Sequence, residues 1–440
     1  MIYQTFRQLK RNIALIASLL LAFTWAAGCD GGAGEEQENK PGESIKSEKQ
    51  RIMEPQVPEG DMELLSQGNT EFAFDLYAQL RNEEGNLFYS PLSISLALAM
   101  TYAGAEGDTE TEMADVLKFK LPEPGIHEAF NALDQELESR GEDAEGADGD
   151  AFRLRVVNAL WGQTGYSFLD TFLDVLALNY GAGMTLLDFM SDPEAGRILI
   201  NDWVAEQTED RIKDLIPQGA ITNATRLVLT NAVYFNASWK ESFDEDMTQE
   251  GEFTTPQGPV TVDMMQQTTN YGYAEGENYQ AVELPYDGDE LSMVIMVPDS
   301  GKFSEVEAGV DGAFIEDLVS AISYTEVRLR MPKFSFTESF SVKKMLKTMG
   351  MEAAFSPGDA NFSGIDGSLS LFIQDVIHKA FVAVDEAGTE AAAATAVIVG
   401  ITSVPDEQIE VTIDRPFIFF IRDIETGAVV FVGRVVDPTA

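Results

Sequence analysis

The spacing of apolar residues predicts several helices in the chain. In "NTEFAFDLYAQL" the side chains of Phe72, Leu76 and Leu80 recur at helical spacing. Residues 93–103, "SISLALAMTYA", are almost wholly apolar, which is typical of a helix that is buried on all sides. Further helices are predicted in "SFLDTFLDVLALNY" and "SVKKMLKTMG".

β-branched and aromatic residues, several of them alternating with polar ones, predict strands in five other segments. These segments are "FRLRVVNALW", "TRLVLTNAVYF", "LSMVIMVP", "EVRLRMPKFSF" and "FIFFIRDIETGAVVFVGRVV". The last segment holds two strands joined by "DIETG", which predicts a hairpin. No repeat period is present, so the mixture of elements predicts an α+β protein with a large antiparallel component.

The amino terminus has the pattern of a secretory signal. Basic residues Arg7, Lys10 and Arg11 precede the apolar run "IALIASLLLAFTWAAG", which ends at Cys29. The ending "AAGC" resembles the lipobox of bacterial lipoproteins, in which the cysteine is lipidated. We therefore expect a lipoprotein signal peptide at 1–28 and an extracytoplasmic protein anchored to a bacterial membrane through Cys29. A plain signal anchor remains an alternative, because the run is nearly long enough to span a bilayer.

Two polar segments lack the apolar residues that a core needs. Residues 29–65 include a Gly-, Glu- and Lys-rich stretch, which predicts a flexible acidic tether before a single domain at 66–440. Residues 141–150, "GEDAEGADGD", form an acidic insertion. The spacing of its carboxylates does not fit the calcium-binding loop motif, so we expect a solvated loop.

Charge limits the possible partners. The chain has 29 basic and 74 acidic residues, and its formal net charge is −45. So acidic a surface repels nucleic acid and anionic lipid, and membrane contact is expected only through the lipid on Cys29. One cysteine permits no intramolecular disulfide.

Residue types that carry catalysis are scarce. The chain contains two histidines, His127 and His378, and lacks a G-x-S-x-G elbow, a P-loop and a dinucleotide-binding motif. A hydrolytic triad on His378 would need a nucleophile that no motif places beside it. Two distant histidines are also a weak basis for a metal site. We predict that the protein is not an enzyme and needs no cofactor or metal.

Five further segments follow one another along the chain, namely "NLFYSPLSISLALAM", "RIKDLIPQG", "LTNAVYFNASWKESF", "VIHKAFVAVDEAGTEAAAATA" and "VTIDRPFIFFI". Together and in this order they resemble the serpin family of protease inhibitors. The resemblance spans about residues 66–438. It implies a serpin fold with three β-sheets, eight or nine helices and an exposed reactive-centre loop at about 387–413. A monomer is expected.

In inhibitory serpins the cleaved loop inserts into the central sheet as a new strand, so alternate residues of its proximal hinge must enter the core. The resemblance assigns this hinge to Glu386, Gly388, Thr389, Ala391 and Ala393. The inward-facing positions among them are small and uncharged. An Ala-rich surface helix is the alternative for this stretch.

Two further sets of residues correspond to family features. One is the shutter, a buried polar network beneath the opening sheet, and it corresponds to Ser90, Ser93, Asn231 and His378. The other is the breach, where insertion starts, and it corresponds to Trp239 together with an ion pair between Lys333 and Glu386.

The resemblance implies an inhibitor of serine proteases that traps its target by a suicide mechanism. A non-inhibitory serpin acting as a binding or storage module is the alternative. Counting from the hinge glutamate places the scissile bond at Thr402–Ser403, and the bonds after Ile401 or Gly400 are alternatives. These small or β-branched residues favour elastase-like or subtilisin-like proteases over trypsin-like ones, with papain-like cysteine proteases as a second class.

Overall fold

The structure is a computed structural model of the chain, and it describes residues 42, 44–141, 153–389 and 409–440. Several sequence predictions therefore lie outside the described residues. They are the signal peptide, Cys29, the acidic insertion after Gly141, and the loop positions Ala391, Ala393, Gly400, Ile401, Thr402 and Ser403.

The described part of the chain contains ten α-helices. They are α1 (Asp61–Leu80), α2 (Pro91–Tyr102), α3 (Asp108–Leu117), α4 (Gly125–Glu138), α5 (Asp170–Tyr180), α6 (Pro193–Gln207), α7 (Phe303–Gly309), α8 (Gly312–Ala321), α9 (Lys343–Met349) and α10 (Ser363–Asp366). The count exceeds the expected eight or nine by including α10, a single four-residue turn. Every residue of α2 is buried, which confirms the reading of its apolar sequence.

Sixteen strands occur in the same residues. They are β1 (Ser44–Ile45), β2 (Leu87–Tyr89), β3 (Arg153–Gln163), β4 (Met184–Leu187), β5 (Leu227–Ser238), β6 (Gln249–Thr255), β7 (Gly258–Gly276), β8 (Tyr279–Pro285), β9 (Leu291–Pro298), β10 (Ser323–Pro332), β11 (Phe334–Ser341), β12 (Val376–Val384), β13 (Gly388–Thr389), β14 (Ile409–Thr412), β15 (Phe417–Asp423) and β16 (Val429–Val435). The hairpin predicted around "DIETG" corresponds to β15 and β16, which pair antiparallel.

A seven-stranded sheet has the order β1-β4-β3-β5-β13-β12-β11 and is called the central sheet below. At its base β5 pairs directly with β12 in parallel, from Leu229–Val376 to Val233–Ala380. At its top the two-residue strand β13 lies between them and is antiparallel to both. Strand β5 therefore pairs with β12 at the base of the central sheet and with β13 at its top.

The remaining nine strands form one hydrogen-bonded network. Its order is β14-β10-β7-β8-β9-β15-β16-β2, with β6 also paired to β7. The 19-residue strand β7 pairs in turn with β6, β10 and β8. Because β7 is shared, two of the three expected sheets are continuous with each other here.

The segment before α1 differs from the flexible tether expected at 29–65. Ser44 and Ile45 pair with β4, and Lys49 forms an ion pair with Asp174 at 2.7 Å. The backbone N–H of Ile52 donates to the carbonyl of Leu178 at 2.9 Å. Residues 61–65 belong to α1. The described residues of this segment are therefore held against the fold by these contacts and by the partial burial of Ile45 and Val57 against the core, whereas a flexible tether was expected from the composition.

Among residues that the structure describes, none of the helices combines the length and the apolar character needed to cross a bilayer.

Candidate functional site at the top and base of the central sheet

The chain reverses direction between β12 and β13 in a tight turn. The carboxylate of Asp385 accepts hydrogen bonds from the backbone N–H groups of Ala387 and Gly388, at 3.0 and 3.2 Å. The backbone N–H of Asp385 donates to the carbonyl of Gly388 at 3.0 Å. Burial raises the pKa of Asp385 although these N–H groups act to lower it. The turn directs the following residues into the sheet.

Gly388 occupies a position that admits only glycine. A Cβ added there would lie 2.1 Å from the carbonyl oxygen of Ala237 and 2.6 Å from the Cα of Ser238, both on β5. Real Cβ atoms do not approach backbone so closely, and backbone cannot yield as a flexible side chain does. The reason for glycine is thus close backbone approach between β13 and β5.

Thr389 is 1% exposed and contacts an aromatic pair at the top of the sheet. Its Oγ1 lies 2.8 Å from the hydroxyl of Tyr286. The Tyr286 ring stacks on Trp239 with centroids 4.7 Å apart and planes 11° apart. The indole N–H of Trp239 donates to the carbonyl of Asp385 at 3.0 Å, which ties the aromatic pair to the turn.

Glu386 is buried beside the same turn and makes two charge-assisted contacts. Its Oε2 lies 2.6 Å from Nζ of Lys333, and its Oε1 accepts a hydrogen bond from the Thr248 hydroxyl at 2.6 Å. Burial acts to raise the pKa of Glu386, but the hydrogen bonds from Lys333 and Thr248 outweigh it and leave that pKa below its usual value. Thr248 was not among the residues identified from the sequence.

A second polar group lies at the base of the central sheet, where β5 and β12 pair directly. His378 is opposite Asn231 in the ladder, and its Nδ1 lies 2.5 Å from Asn231 Oδ1. The Nδ2 of Asn231 donates to Oγ of Ser93 at 2.5 Å. The backbone N–H of Ser90 donates to His378 Nε2 at 3.2 Å, and Ser90 Oγ caps α2 through the N–H of Ser93.

Asn158 on β3 completes this network and was not among the residues predicted from the sequence. Its Oδ1 accepts a hydrogen bond from Asn231 Nδ2 at 2.7 Å, and its Nδ2 donates to the Ser93 carbonyl at 3.3 Å. Asn158 also faces Asn231 in the β3–β5 ladder. An asparagine inside the otherwise apolar run "VVNALW" is the sequence signal that would have found it.

Full burial lowers the pKa of His378 to about 3. The ring is therefore neutral at physiological pH, and it bridges Ser90 and Asn231. His127, the other histidine, lies on α4 and contacts the hydroxyl of Tyr180 at 2.7 Å and Glu123 at 3.2 Å. Within the described ranges no three residues of the metal-binding types are placed to hold a metal ion.

The family of the chain follows from its similarity to known proteins. Residues 67–438 match the family described as serpin (serine protease inhibitor). The chain belongs to the serpin family. The α+β class and the serpin fold expected from the sequence are thereby confirmed.

Relatives of this serpin occur in distant organisms. An uncharacterised serpin-like protein of Thermococcus kodakarensis is 39% identical over 439 residues, which cover 97% of this chain and 99% of that protein. The leukocyte elastase inhibitor of Homo sapiens is 36% identical over 389 residues, covering 86% of this chain and 100% of the human protein. Among solved structures, the thermophilic serpin tengpin in its native state matches with a TM-score of 0.78 and 28% identity, over 89% of this chain and 97% of tengpin.

Proposed function

We propose that this serpin inhibits serine proteases by a suicide mechanism. One observation carries the proposal, namely that Gly388 and Thr389 form a strand between β5 and β12 at the top of the central sheet. That strand is antiparallel to both neighbours, as a loop inserted from the top has to be. We take Gly388 and Thr389 as the first pair of residues of the inserted strand, which the reactive loop would continue.

The proposed reaction begins at Thr402–Ser403, with the bonds after Ile401 and Gly400 as alternatives. The catalytic serine of the protease attacks the carbonyl carbon of Thr402, and the bond to Ser403 breaks. The acyl group stays on the protease, and the new amine at Ser403 takes the proton. Insertion of about 14 loop residues, at roughly 3.3 Å each, then moves the acylated protease by about 45 Å.

Insertion requires the base of the sheet to open. The direct pairs between β5 and β12, from Leu229–Val376 to Val233–Ala380, must separate to admit a strand. The hydrogen bond between His378 and Asn231 spans this seam, and Asn231 is also bonded to Ser93 on α2. A buried network must be satisfied in the closed sheet and again in the opened one, and side-chain hydrogen bonds can exchange partners as the strands part. We propose that this network is the shutter.

The breach is proposed to be the cluster of Trp239, Lys333 and Glu386 beside β13. The residues of the hinge do not favour the alternative function of a binding or storage module. A non-inhibitory serpin of that kind would be expected to have charged or bulky residues at the hinge. Thr389 is small and fully enclosed. Ala391 and Ala393 continue the same alternation in the sequence.

Thermal melting and denaturing gel electrophoresis can test whether the protein traps a protease. Intact protein and protein cleaved once in the loop are melted side by side, and complexes with elastase are tested in denaturant. The proposal expects a higher melting temperature after cleavage and a complex that survives denaturation. Equal melting temperatures with no such complex would contradict it.

The proposed targets are elastase-like or subtilisin-like serine proteases, with papain-like cysteine proteases second. Residues 397–403 contain no Arg, Lys or aromatic residue, so the acidic pocket of a trypsin-like protease would stay unpaired. Mass spectrometry of the loop after incubation with elastase, subtilisin and trypsin identifies the bond. Rapid complex formation with trypsin alone would contradict this assignment.

We also propose a monomeric, extracytoplasmic lipoprotein of a bacterial membrane, anchored through Cys29. The support is the sequence pattern of the signal and its "AAGC" ending. Replacing Cys29 by Ser should move the protein from the membrane fraction to the soluble fraction. Retention of an uncut Cys29→Ser protein in the membrane would favour the signal anchor instead.

A further inference from the structure

Tyr286 is held rigidly next to the hinge. Its backbone N–H donates to the carbonyl of Leu291 at 2.9 Å, in the turn between β8 and β9. Its ring is enclosed between Trp239, which stacks on it, and Phe235, which meets it edge-on with centroids 5.2 Å apart. The side chain is fully buried. A fully buried ring packed against two aromatic neighbours gives its hydroxyl a fixed position.

The hydroxyl of Tyr286 points to a single hinge atom. Among the described residues, its hydrogen-bond partner is Oγ1 of Thr389, 2.8 Å away. Burial raises the pKa of Tyr286 far above the physiological range, so the hydroxyl is protonated and neutral. When Thr389 leaves the sheet, this buried hydroxyl loses its partner, which is unfavourable in an apolar environment.

We propose that Tyr286 is a positioning residue for loop insertion. Its hydroxyl holds Thr389 in the first pair of the central sheet, so that insertion starts from a pair already formed. This proposal rests on the proposed inhibitory function and adds to it a residue outside the loop, from the turn after β8. It also explains why a hydroxyl-bearing residue suits position 389, since an apolar side chain would leave Tyr286 unpaired.

The hydrogen bond between Tyr286 and Thr389 should affect inhibition through the competition between two rates, that of loop insertion and that of hydrolysis. After acylation, loop insertion traps the protease, whereas hydrolysis releases it and wastes one inhibitor molecule. If Thr389 is held less firmly, insertion must first order it, while the rate of hydrolysis is unchanged. Stranding one buried hydroxyl should raise the ratio of hydrolysis to trapping about five- to thirtyfold.

Two single variants and their combination test this inference. Tyr286→Phe strands the Thr389 hydroxyl, Thr389→Val strands the Tyr286 hydroxyl, and the double variant removes both. Each single variant should raise the number of inhibitor molecules cleaved per elastase molecule trapped. The double variant should return towards the wild-type value, because neither hydroxyl is then stranded. Tyr324→Phe, at an exposed tyrosine of β10, is the matched control and should leave the ratio unchanged.

A purely structural role for Tyr286 predicts a different pattern. It would lower the melting temperature of Tyr286→Phe without changing the ratio. If the two hydroxyls instead acted independently of each other, the effects of the two single variants on the ratio would multiply in the double variant. Either result would overturn the inference.

Hydrogen–deuterium exchange of residues 385–389 tests the hinge contact independently of inhibition. Exchange should be faster in each single variant and slower again in the double variant. If the wild type traps no protease, the proposed function fails, and exchange still decides whether Tyr286 positions Thr389. Unchanged exchange in both single variants would contradict that contact.

Discussion

The ring of His378 donates from Nδ1 to Oδ1 of Asn231 across the β5–β12 seam, over 2.5 Å. The direction follows from the opposite side of the ring, where Nε2 faces the backbone N–H of Ser90, which can only donate. Asn231 then presents its amide Nδ2 to Ser93 and Asn158. Each hydrogen-bond direction in the network is therefore fixed by its neighbour. Protonation of Nε2 would set a second donor against the Ser90 N–H.

Acid should weaken the folded protein through His378. Its pKa is 6.5 in an unfolded chain and about 3 in the folded one, because burial disfavours the charged ring. Between these two pH values the unfolded chain binds a proton at His378 and the folded protein does not. The stability that the neutral, buried His378 contributes is therefore complete above pH 6.5 and is lost as the pH falls towards 3. The loss should reach about 1.4 kcal/mol per pH unit.

The measurement compares wild type with His378→Gln, which cannot titrate at this position. Urea unfolding at pH 7, 5.5 and 4 gives the free energy of unfolding of each protein. Carboxylates titrate in both, so the difference between the two pH profiles reports His378. Profiles that stay parallel from pH 7 to pH 4 would contradict the prediction.

Asn158 should prove as important to stability as the network residues identified from the sequence. Asn158→Ala removes the acceptor for Asn231 Nδ2 and the donor to the Ser93 carbonyl. We expect a loss of about 1–3 kcal/mol in the free energy of unfolding, measured in urea. Asn270→Ala, at an exposed position of β7, is the control and should change it by no more than about 0.5 kcal/mol. Equal effects of the two variants would argue against a network role for Asn158.

The ion pair between Lys333 and Glu386 should contribute more to the free energy of unfolding than an ion pair on the surface does. Lys333→Met leaves the buried Glu386 with Thr248 as its side-chain partner. Because the Lys333 side chain is 38% exposed, we expect a loss of about 1–3 kcal/mol, below that for a fully buried pair. The surface pair of Lys240 and Asp289 provides the comparison. Lys240→Met should cost less than about 1 kcal/mol.

Urea unfolding of both lysine variants supplies the test. A loss for Lys333→Met no larger than that for Lys240→Met would mean that solvent screens the Glu386 pair as well.

Residues of the candidate site could be predicted from the sequence where they lie in a segment that resembles the family or in a recognisable local pattern. Ser93, Asn231 and His378 lie in segments that resemble the family, and they contact one another. Tyr286 and Thr248 carry no such mark. Tyr286 bonds to a residue 103 positions away, and Thr248 to one 138 positions away. Only the three-dimensional path of β5 to β9 brings them to the hinge, and no periodicity encodes that path.

The segment before α1 shows a second limit of sequence reasoning. Composition predicts how much apolar surface a segment can bury, and this segment contributes only two partly buried apolar side chains to the core in its described residues. Its guanidinium at Arg51 nevertheless reaches Asn131, Asp134 and Glu138 on α4, at 2.8, 2.5 and 3.3 Å. Such contacts depend on a single side chain meeting the correct helix face. Average composition does not register them.

Thr389→Arg tests the inhibitory proposal at the hinge. Thr389 is enclosed beside Tyr286, so an arginine there would have to enter the core without a partner or keep β13 out of the sheet. Burial of an unpaired charge costs several kcal/mol, and insertion should therefore be slower than hydrolysis. The variant should be cleaved by elastase as a substrate and should no longer form a denaturant-stable complex.

Thr412→Arg on β14, at the distal side of the loop, is the matched control for this substitution. Thr412 is half-exposed, so the added guanidinium stays in water and should leave trapping intact. Denaturing gels after incubation with elastase compare the two variants, and melting curves verify that both are folded. A Thr389→Arg protein that still trapped elastase would show that residue 389 does not have to enter the sheet. Insertion from the top would then be the wrong mechanism for this chain.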